Sequence, residues 1–330
     1  MGHADGVSHL FNLTNDSKWF SVKAMLKQKL FAVCLLLAGL VFQTANADDF
    51  KLEPIKCRTV EDVVYGHKDG LAMTLDVMIP ETKPKNIGVI LIVSGSWKSK
   101  KSDIPSEEAL LRSQHWAQGL LNGGFTLFLV RHGSTPRYPV PEMIGDIKRS
   151  VRFVRLHAKD YGVDPNRLGI VGGSSGGHLA LMAALTADDG KPDAKDSVER
   201  ISSRVQAIMA WFPPVDFINW GGENGYKMVE KIRPTLFPDM FGKITDLETQ
   251  LKSVSPIYHA TDQAPPLFLV HGDADKTVPV QQSQILKAKY EELKRPVHLT
   301  VHPGGPHTYW PGIEKNYPAI WEWFDRYLKQ

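Results

Sequence analysis

Apolar and polar residues alternate with period two over 60–66 and 73–79, on either side of Lys68-Asp69-Gly70, which predicts a β-hairpin with a glycine-bearing turn. After the polar linker 81–86 comes an unbroken apolar run, 87–93, of the kind found in strands covered on both faces. Helical periodicity over 107–121 ends at Asn122-Gly-Gly. The pattern then predicts strand 125–130, helix 141–159, strand 168–171, helix 177–186, strand 205–211, strand 267–270, helix 280–293, strand 297–301 and a last helix near 314–328. This βαβα order implies an α/β fold, with one mostly parallel central sheet wrapped by helices. Two stretches break the rhythm. Residues 187–204 read as a polar surface loop. Residues 213–264, which carry Phe217, Trp220, Tyr226, Phe237 and Phe241, read as a lid-like insertion before a core strand, since long insertions in compact domains serve as lids or binding loops.

Composition narrows the class. Of 330 residues, 42% are apolar and 23% charged, enough apolar surface to offset the entropy of ordering a sizeable core, so a mainly disordered chain is excluded. With 39 Lys+Arg against 36 Asp+Glu the formal charge is +3, and no Lys/Arg cluster points to nucleic acid. Two cysteines exclude a disulfide scaffold. Residues 1–47 have the order of a signal peptide: Lys27 and Lys29, an apolar run from Leu30 to Phe42, then Ala45-Asn46-Ala47 as the cleavage position. The run has 13 residues, short of the roughly 18 that a spanning helix needs, so no stable membrane anchor is expected. Cys34 reads as apolar filler within it, and Met25 begins a conventional signal peptide by itself and is the expected true start. Cleavage near Ala47 leaves a mature domain, 48–330, of charge +1 with one thiol, Cys57, and implies export to a periplasm or to the outside.

The sharpest chemical signal is Leu168-Gly-Ile-Val-Gly-Gly-Ser-Ser-Gly-Gly-His178, a strand running through Gly-x-Ser-x-Gly into a helix. A nucleophile on such a turn takes strained backbone angles, and glycines on either side let strand and helix approach without Cβ clashes. Two registers fit, Gly172-Gly-Ser174-Ser-Gly176 and Gly173-Ser-Ser175-Gly-Gly177. Here the chain resembles the α/β-hydrolase superfamily, in particular secreted carboxylesterases whose elbow reads Gly-x-Ser-Ala-Gly-Gly-His-Leu-Ala. The resemblance implies the α/β-hydrolase fold, with Ser174 as nucleophile and the Ser175 N–H as an oxyanion donor. That fold orders its triad as serine, acid, histidine. The acid loop, His271-Gly-Asp-Ala-Asp-Lys-Thr-Val-Pro279, resembles the family's and assigns the acid to Asp275, with Asp273 as the rival carboxylate and His271 as a turn-shaping histidine. The loop His302-Pro-Gly-Gly-Pro-His307 resembles the family's Pro-Gly-x-x-His and makes His307 the general base. Read instead as a metal cluster, His298, His302 and His307 lack a carboxylate or cysteine at a recognised spacing, so neither metal nor cofactor is expected.

The second oxyanion donor belongs on the loop after strand 87–93. The family commonly has His-Gly-Gly-x-Trp there, whereas this chain has Val93-Ser-Gly-Ser-Trp97, which puts Gly95 and Ser96 at the turn and leaves the Ser96 and Trp97 N–H groups as candidates. A serine there crowds the acyl pocket and implies short acyl groups. Trp97 reads equally as a core aromatic and as a pocket wall. His132 and Arg131, after strand 125–130, and Trp220, in the insertion, are candidate substrate contacts, although an arginine at such a place is commonly paired within the scaffold. Asp146 and Asp164 read as structural, and His178 as a packing or capping residue. The resemblance spans roughly 60–328 and implies a serine hydrolase of carboxylic esters, acting on a small-molecule or carbohydrate ester through an acyl-enzyme. The rivals are an oligopeptidase-type serine peptidase, an acyl transferase with the same intermediate, and a non-catalytic binding protein on the same fold.

Overall fold

The chain's structure, a computed structural model, describes residues 57–100, 115–221, 223–224, 247–307, 310 and 312–329. The expected signal peptide therefore lies outside the described residues. The first hairpin pairs β1 (Cys57–Lys68) with β2 (Leu71–Pro80), and its two-residue loop, Asp69-Gly70, has positive φ at both positions, 49° and 75°, as the twist of paired strands favours. The remaining core strands are β3 (Gly88–Ile92), β4 (Thr126–Val130), β5 (Leu168–Gly173), β6 (Ala207–Trp211), β9 (Leu267–Gly272) and β10 (Val297–His302); the short pair β7 (Asn219–Trp220) and β8 (Glu223–Asn224) stands apart. The eight core strands form one sheet in the order β1-β2-β4-β3-β5-β6-β9-β10. Pairing is antiparallel at β1/β2 and β2/β4 and parallel from β4 to β10.

The unbroken apolar runs have a direct cause in this sheet. Alternate residues of β3 face opposite layers: Ile90 and Ile92 pack into one core, with α2 (Val140–Leu156), α3 (Ser175–Leu185) and α5 (Gln281–Glu292). Val89 and Leu91 pack into the other, with α1 (His115–Asn122) and α6 (Tyr317–Tyr327). Both faces are covered, so neither can be polar.

The differences from the predicted elements have local reasons. α2 stops at Leu156, and residues 158–161 continue as a 3-10 turn closed by Gly162 in the left-handed region. α3 starts at Ser175, two residues ahead of the predicted start at Gly177, so that Gly176 also lies inside it. Of predicted helix 107–121, residues 107–114 lie outside the described residues. The polar loop 187–204 is held to α2: Lys148 and Arg152 pair with Asp188, Arg149 pairs with Asp196 and Glu199, and Arg155 bonds the Ser202 and Arg204 carbonyls. In the predicted insertion, Phe217 is a core residue, and the buried Gln282 amide accepts the Val215 and Asp216 N–H groups at 2.8 and 2.7 Å and donates to the Asn219 carbonyl at 2.7 Å. The return limb carries α4 (Leu247–Ser253). Tyr226, Phe237 and Phe241 lie outside the described residues.

Candidate active site

β5 ends in Gly172-Gly173, and the chain turns through Ser174 into α3 with φ 52° and ψ −123°. The turn is close-packed: a Cβ on Gly172 would lie 2.4 Å from the Gly176 carbonyl carbon, and one on Gly176 would lie 2.8 Å from the Ile92 oxygen. Only glycine fits where backbone meets backbone. The Ser174 N–H donates to Trp211 O and its carbonyl accepts from the His178 N–H, both at 2.9 Å, so the strained residue is held from both sides. This geometry separates the two registers. Ser174 takes the left-handed conformation and directs its hydroxyl to His307, while Ser175 is helical, 1% exposed, and bonds the Ser94 hydroxyl at 3.0 Å.

Three side chains distant in sequence meet at this end of the sheet. His307 Nε2 lies 3.0 Å from Ser174 Oγ, and its Nδ1 lies 2.7 Å from Asp275 Oδ2. An ionised carboxylate only accepts, so Nδ1 carries the proton and the Nε2 lone pair faces the serine hydroxyl. Asp275 Oδ1 accepts the Thr277 and Val278 N–H groups at 2.8 Å each. Burial by itself would raise the Asp275 pKa; hydrogen bonds from His271, His307 and the Val278 N–H outweigh it and hold the carboxyl well below the usual range.

His271 explains part of that. Its Nε2 bonds the Val278 carbonyl at 2.9 Å, which fixes a proton there, and the same N–H lies 3.3 Å from Asp275 Oδ2; Nδ1 accepts from Ser283 Oγ at 2.8 Å. The rival carboxylate is engaged elsewhere, since Asp273 Oδ1 accepts the Gly304 N–H at 2.6 Å and ties the acid loop to the loop that carries His307. The two loops touch at Gly272, where a Cβ would sit 2.0 Å from the Gly305 oxygen. Each histidine of the metal reading has its own partner: His298 bonds Thr300, His302 accepts from Asn316 Nδ2, and His307 sits between Asp275 and Ser174.

The loop after β3 is a tight turn in which Gly95 and Lys98 exchange both backbone bonds, at 2.9 and 3.0 Å, with φ of 51° at Ser96 and 55° at Trp97. The turn centre is thus one residue later than the motif overlay on Trp97 suggested. Gly95 N–H is taken by Lys98, and the Ser94 and Ser96 N–H groups have no acceptor among the described residues. Trp97 is 5% exposed and its ring packs against His178 and Phe217 as part of the core. Its indole N–H donates to His178 Nδ1 at 3.1 Å, and His178 Nε2 donates to the Val254 carbonyl at 2.7 Å. The loop after β4 braces the same turn: Thr135 N–H bonds Trp97 O at 3.2 Å, and Ser134 Oγ accepts the Ser99 N–H at 2.9 Å.

Two candidate substrate contacts are buried in the scaffold. Arg131 is a scaffold residue, bonded to Asp76 at 2.8 and 3.2 Å, to Thr74 at 2.9 Å and to Asp62 at 3.1 Å. His132 is 4% exposed and bonds the adjacent Gly133 carbonyl through Nδ1; burial pushes its pKa down to about 4. Trp220 is half-buried and stacks on Phe217 at 6.2 Å with the planes 7° apart. Sequence reasoning passed over Phe212. It follows β6 with φ 37°, its ring 4.7 Å from that of His307 and 6.2 Å from that of Trp310. A signal was present, because Trp211-Phe212-Pro213-Pro214 ends a strand at the crevice edge.

The BD-FAE family model matches residues 75–290, more than half of the chain and all the strands that carry the nucleophile and acid loops. The chain belongs to the BD-FAE family. Among curated relatives of this member, a probable carboxylic ester hydrolase, LipM, of Mycobacterium tuberculosis is 30% identical over 193 residues, covering 56% of this chain and 42% of its own length. Esterase LipQ of the same organism is 34% identical over 165 residues, covering 50% and 38%. The chain thus spans less than half the length of either relative. Among solved structures, a truncated carbohydrate esterase from gut microbiota superposes with TM-score 0.66 at 24% identity, over 84% of this chain and 99% of that one, and shares the fold. A bifunctional GH43-CE of Bacteroides eggerthii superposes with TM-score 0.68 at 26% identity, over 84% of this chain and 36% of that one.

Proposed function

We propose that this protein is a serine hydrolase of carboxylic esters with short acyl chains, exported before it acts, and that its substrates are acylated carbohydrates. The observation that carries the reading is the continuous relay from Ser174 through His307 to Asp275, with bonds of 3.0 and 2.7 Å. In the proposed course the Ser174 hydroxyl attacks the ester carbonyl while His307 Nε2 takes its proton, and Asp275 stabilises the imidazolium and holds the ring. The carbonyl oxygen becomes an oxyanion beside the Ser175 N–H at the positive end of α3, with a second donor from the 94–97 turn. His307 then returns the proton to the departing alcohol, and water repeats the sequence to free the acid. Carbohydrate as the alcohol side is supported by the likeness to a carbohydrate esterase and to a GH43-CE.

The test is Ser174→Ala against a panel of aryl esters of rising acyl length and acetylated xylo-oligosaccharides. Turnover is expected to fall about 10⁵-fold with the fold retained by circular dichroism. Wild-type turnover in that variant overturns the hydrolase reading, and activity on aryl esters without acetyl release from the sugars overturns the carbohydrate part.

A further inference from the structure

The hydroxyls of Ser94 and Ser175 lie 3.0 Å apart, one on the loop after β3 and the other at the first residue of α3, next to Ser174. Both depart from the motifs this chain resembles, which have glycine at the first position and alanine at the second. The departures meet: among the described residues each hydroxyl's only hydrogen bond is to the other. Two hydroxyls carry two protons, and one bond between them uses one. The second proton is left for an acceptor outside the pair. Ser175 is 1% exposed and Ser94 half-buried, so the outer member is Ser94. A Cβ on Gly176 would lie 3.6 Å from Ser94 Cβ, which seats Ser94 over the first turn of α3, where backbone N–H groups and the helix dipole favour negative charge.

We propose that this pair supplies a side-chain donor to the oxyanion: the Ser175 hydroxyl donates to Ser94 Oγ and orients it, and the Ser94 O–H donates to the oxygen that becomes negative when Ser174 attacks. No proton changes owner in this interaction, which is strongest when the oxygen is charged and so acts on kcat more than on KM. Ser94 is then a catalytic residue and the Ser175 hydroxyl a positioning one. The inference rests on the hydrolase reading above.

The experiment is a double-mutant cycle with a short-chain aryl ester, using Ser94→Ala, Ser175→Ala and both, with Ser94→Thr as the variant that retains a hydroxyl. Ser94→Ala is expected to lower kcat about 10²-fold with KM within about twofold, and Ser175→Ala less. The double variant should cost no more than Ser94→Ala, since the two act as one unit, and Ser94→Thr should recover most of the rate. Wild-type kcat in a folded Ser94→Ala, a rise in KM alone, strictly additive losses, or no recovery in a folded Ser94→Thr each overturn the proposal. If Ser94→Ala fails to fold, the comparison of Ser94→Thr with Ser175→Ala decides: near-wild-type kcat in the first and a reduced kcat in the second support it, and the reverse overturns it. Ser174→Ala keeps the failures distinct. Inactive Ser174→Ala beside unimpaired Ser94→Ala sinks only the hydroxyl pair, whereas active Ser174→Ala sinks the hydrolase reading beneath it.

Discussion

Two buried histidines make the fold sensitive to acid, and the effect can be worked out from their surroundings. His178 is 0% exposed; its Nδ1 accepts from the Trp97 indole at 3.1 Å and its Nε2 donates to Val254 O at 2.7 Å. A second ring proton would point at an N–H, so burial pushes the pKa of His178 down to about 4 from 6.5. His132 is also pushed to about 4, by burial first and then by Lys68, against the Gly133 carbonyl. In the unfolded chain both titrate near 6.5, so between pH 6.5 and 4 the unfolded state binds two protons that the folded state refuses. Stability is full above pH 6.5, falls as pH drops towards 4, and these groups add nothing further below that. A depression of about 2.5 units corresponds to about 3 kcal/mol per histidine, a large share of a typical total of about 5–15 kcal/mol. Urea unfolding followed by tryptophan fluorescence at pH 7, 6, 5 and 4.5 should show the free energy falling by up to about 3 kcal/mol per pH unit near pH 5. His178→Gln, whose amide can replace both hydrogen bonds without titrating, should roughly halve that slope. A free energy that stays level between pH 6.5 and 4.5, or a slope untouched in His178→Gln, would refute the reasoning.

Asp275→Asn is expected to lower kcat about 10⁴-fold, because the ring it orients loses its charged partner, whereas Asp273→Asn should cost less than about tenfold; equal losses in steady-state assays would contradict the two assignments. Arg131→Leu strands the buried Asp76 carboxylate and should cost about 3–5 kcal/mol in urea unfolding, while Asp62→Ala, at the exposed end of the same arginine, should cost under about 1 kcal/mol. A loss below about 1 kcal/mol for Arg131→Leu would show that Asp76 finds another partner. Gly272→Ala puts a methyl 2.0 Å from the Gly305 oxygen, backbone against backbone, so the His307 loop must move and kcat should fall about 10²-fold. An unchanged kcat would mean that the two loops are not in register as described.

The parts legible in the sequence are those whose cause is local. Strands covered on both faces must be apolar throughout, the Asp69-Gly70 turn needs two residues tolerant of positive φ, and the elbow needs glycines at 172 and 176 where backbones nearly touch. What escaped depends on partners far along the chain. His178 reads from the sequence only as a packing or capping residue, and which groups hold its ring is not legible locally because Trp97 and Val254 are 81 and 76 positions away. Phe217 resembled the other aromatics of an insertion and is instead held inside, against His178 and Trp97, by the anchoring of its flanks to Gln282. The pattern places the start of α3 at Gly177, two residues late, but close packing against Ile92 and Gly172 requires glycine at 176 and 177, and that contact outweighs the conformational entropy of two glycines in a first turn. The same logic separates the two carboxylates of the acid loop. Asp273 and Asp275 are two residues apart and chemically alike, and no property of either side chain distinguishes them. The deciding contact is between Gly272 and Gly305, which presses the loops together so that Asp273 meets the Gly304 N–H and Asp275 meets the His307 ring. Where two glycines meet from loops so far apart in the chain, a motif can name the acid, but only the packed pair explains why it is that one.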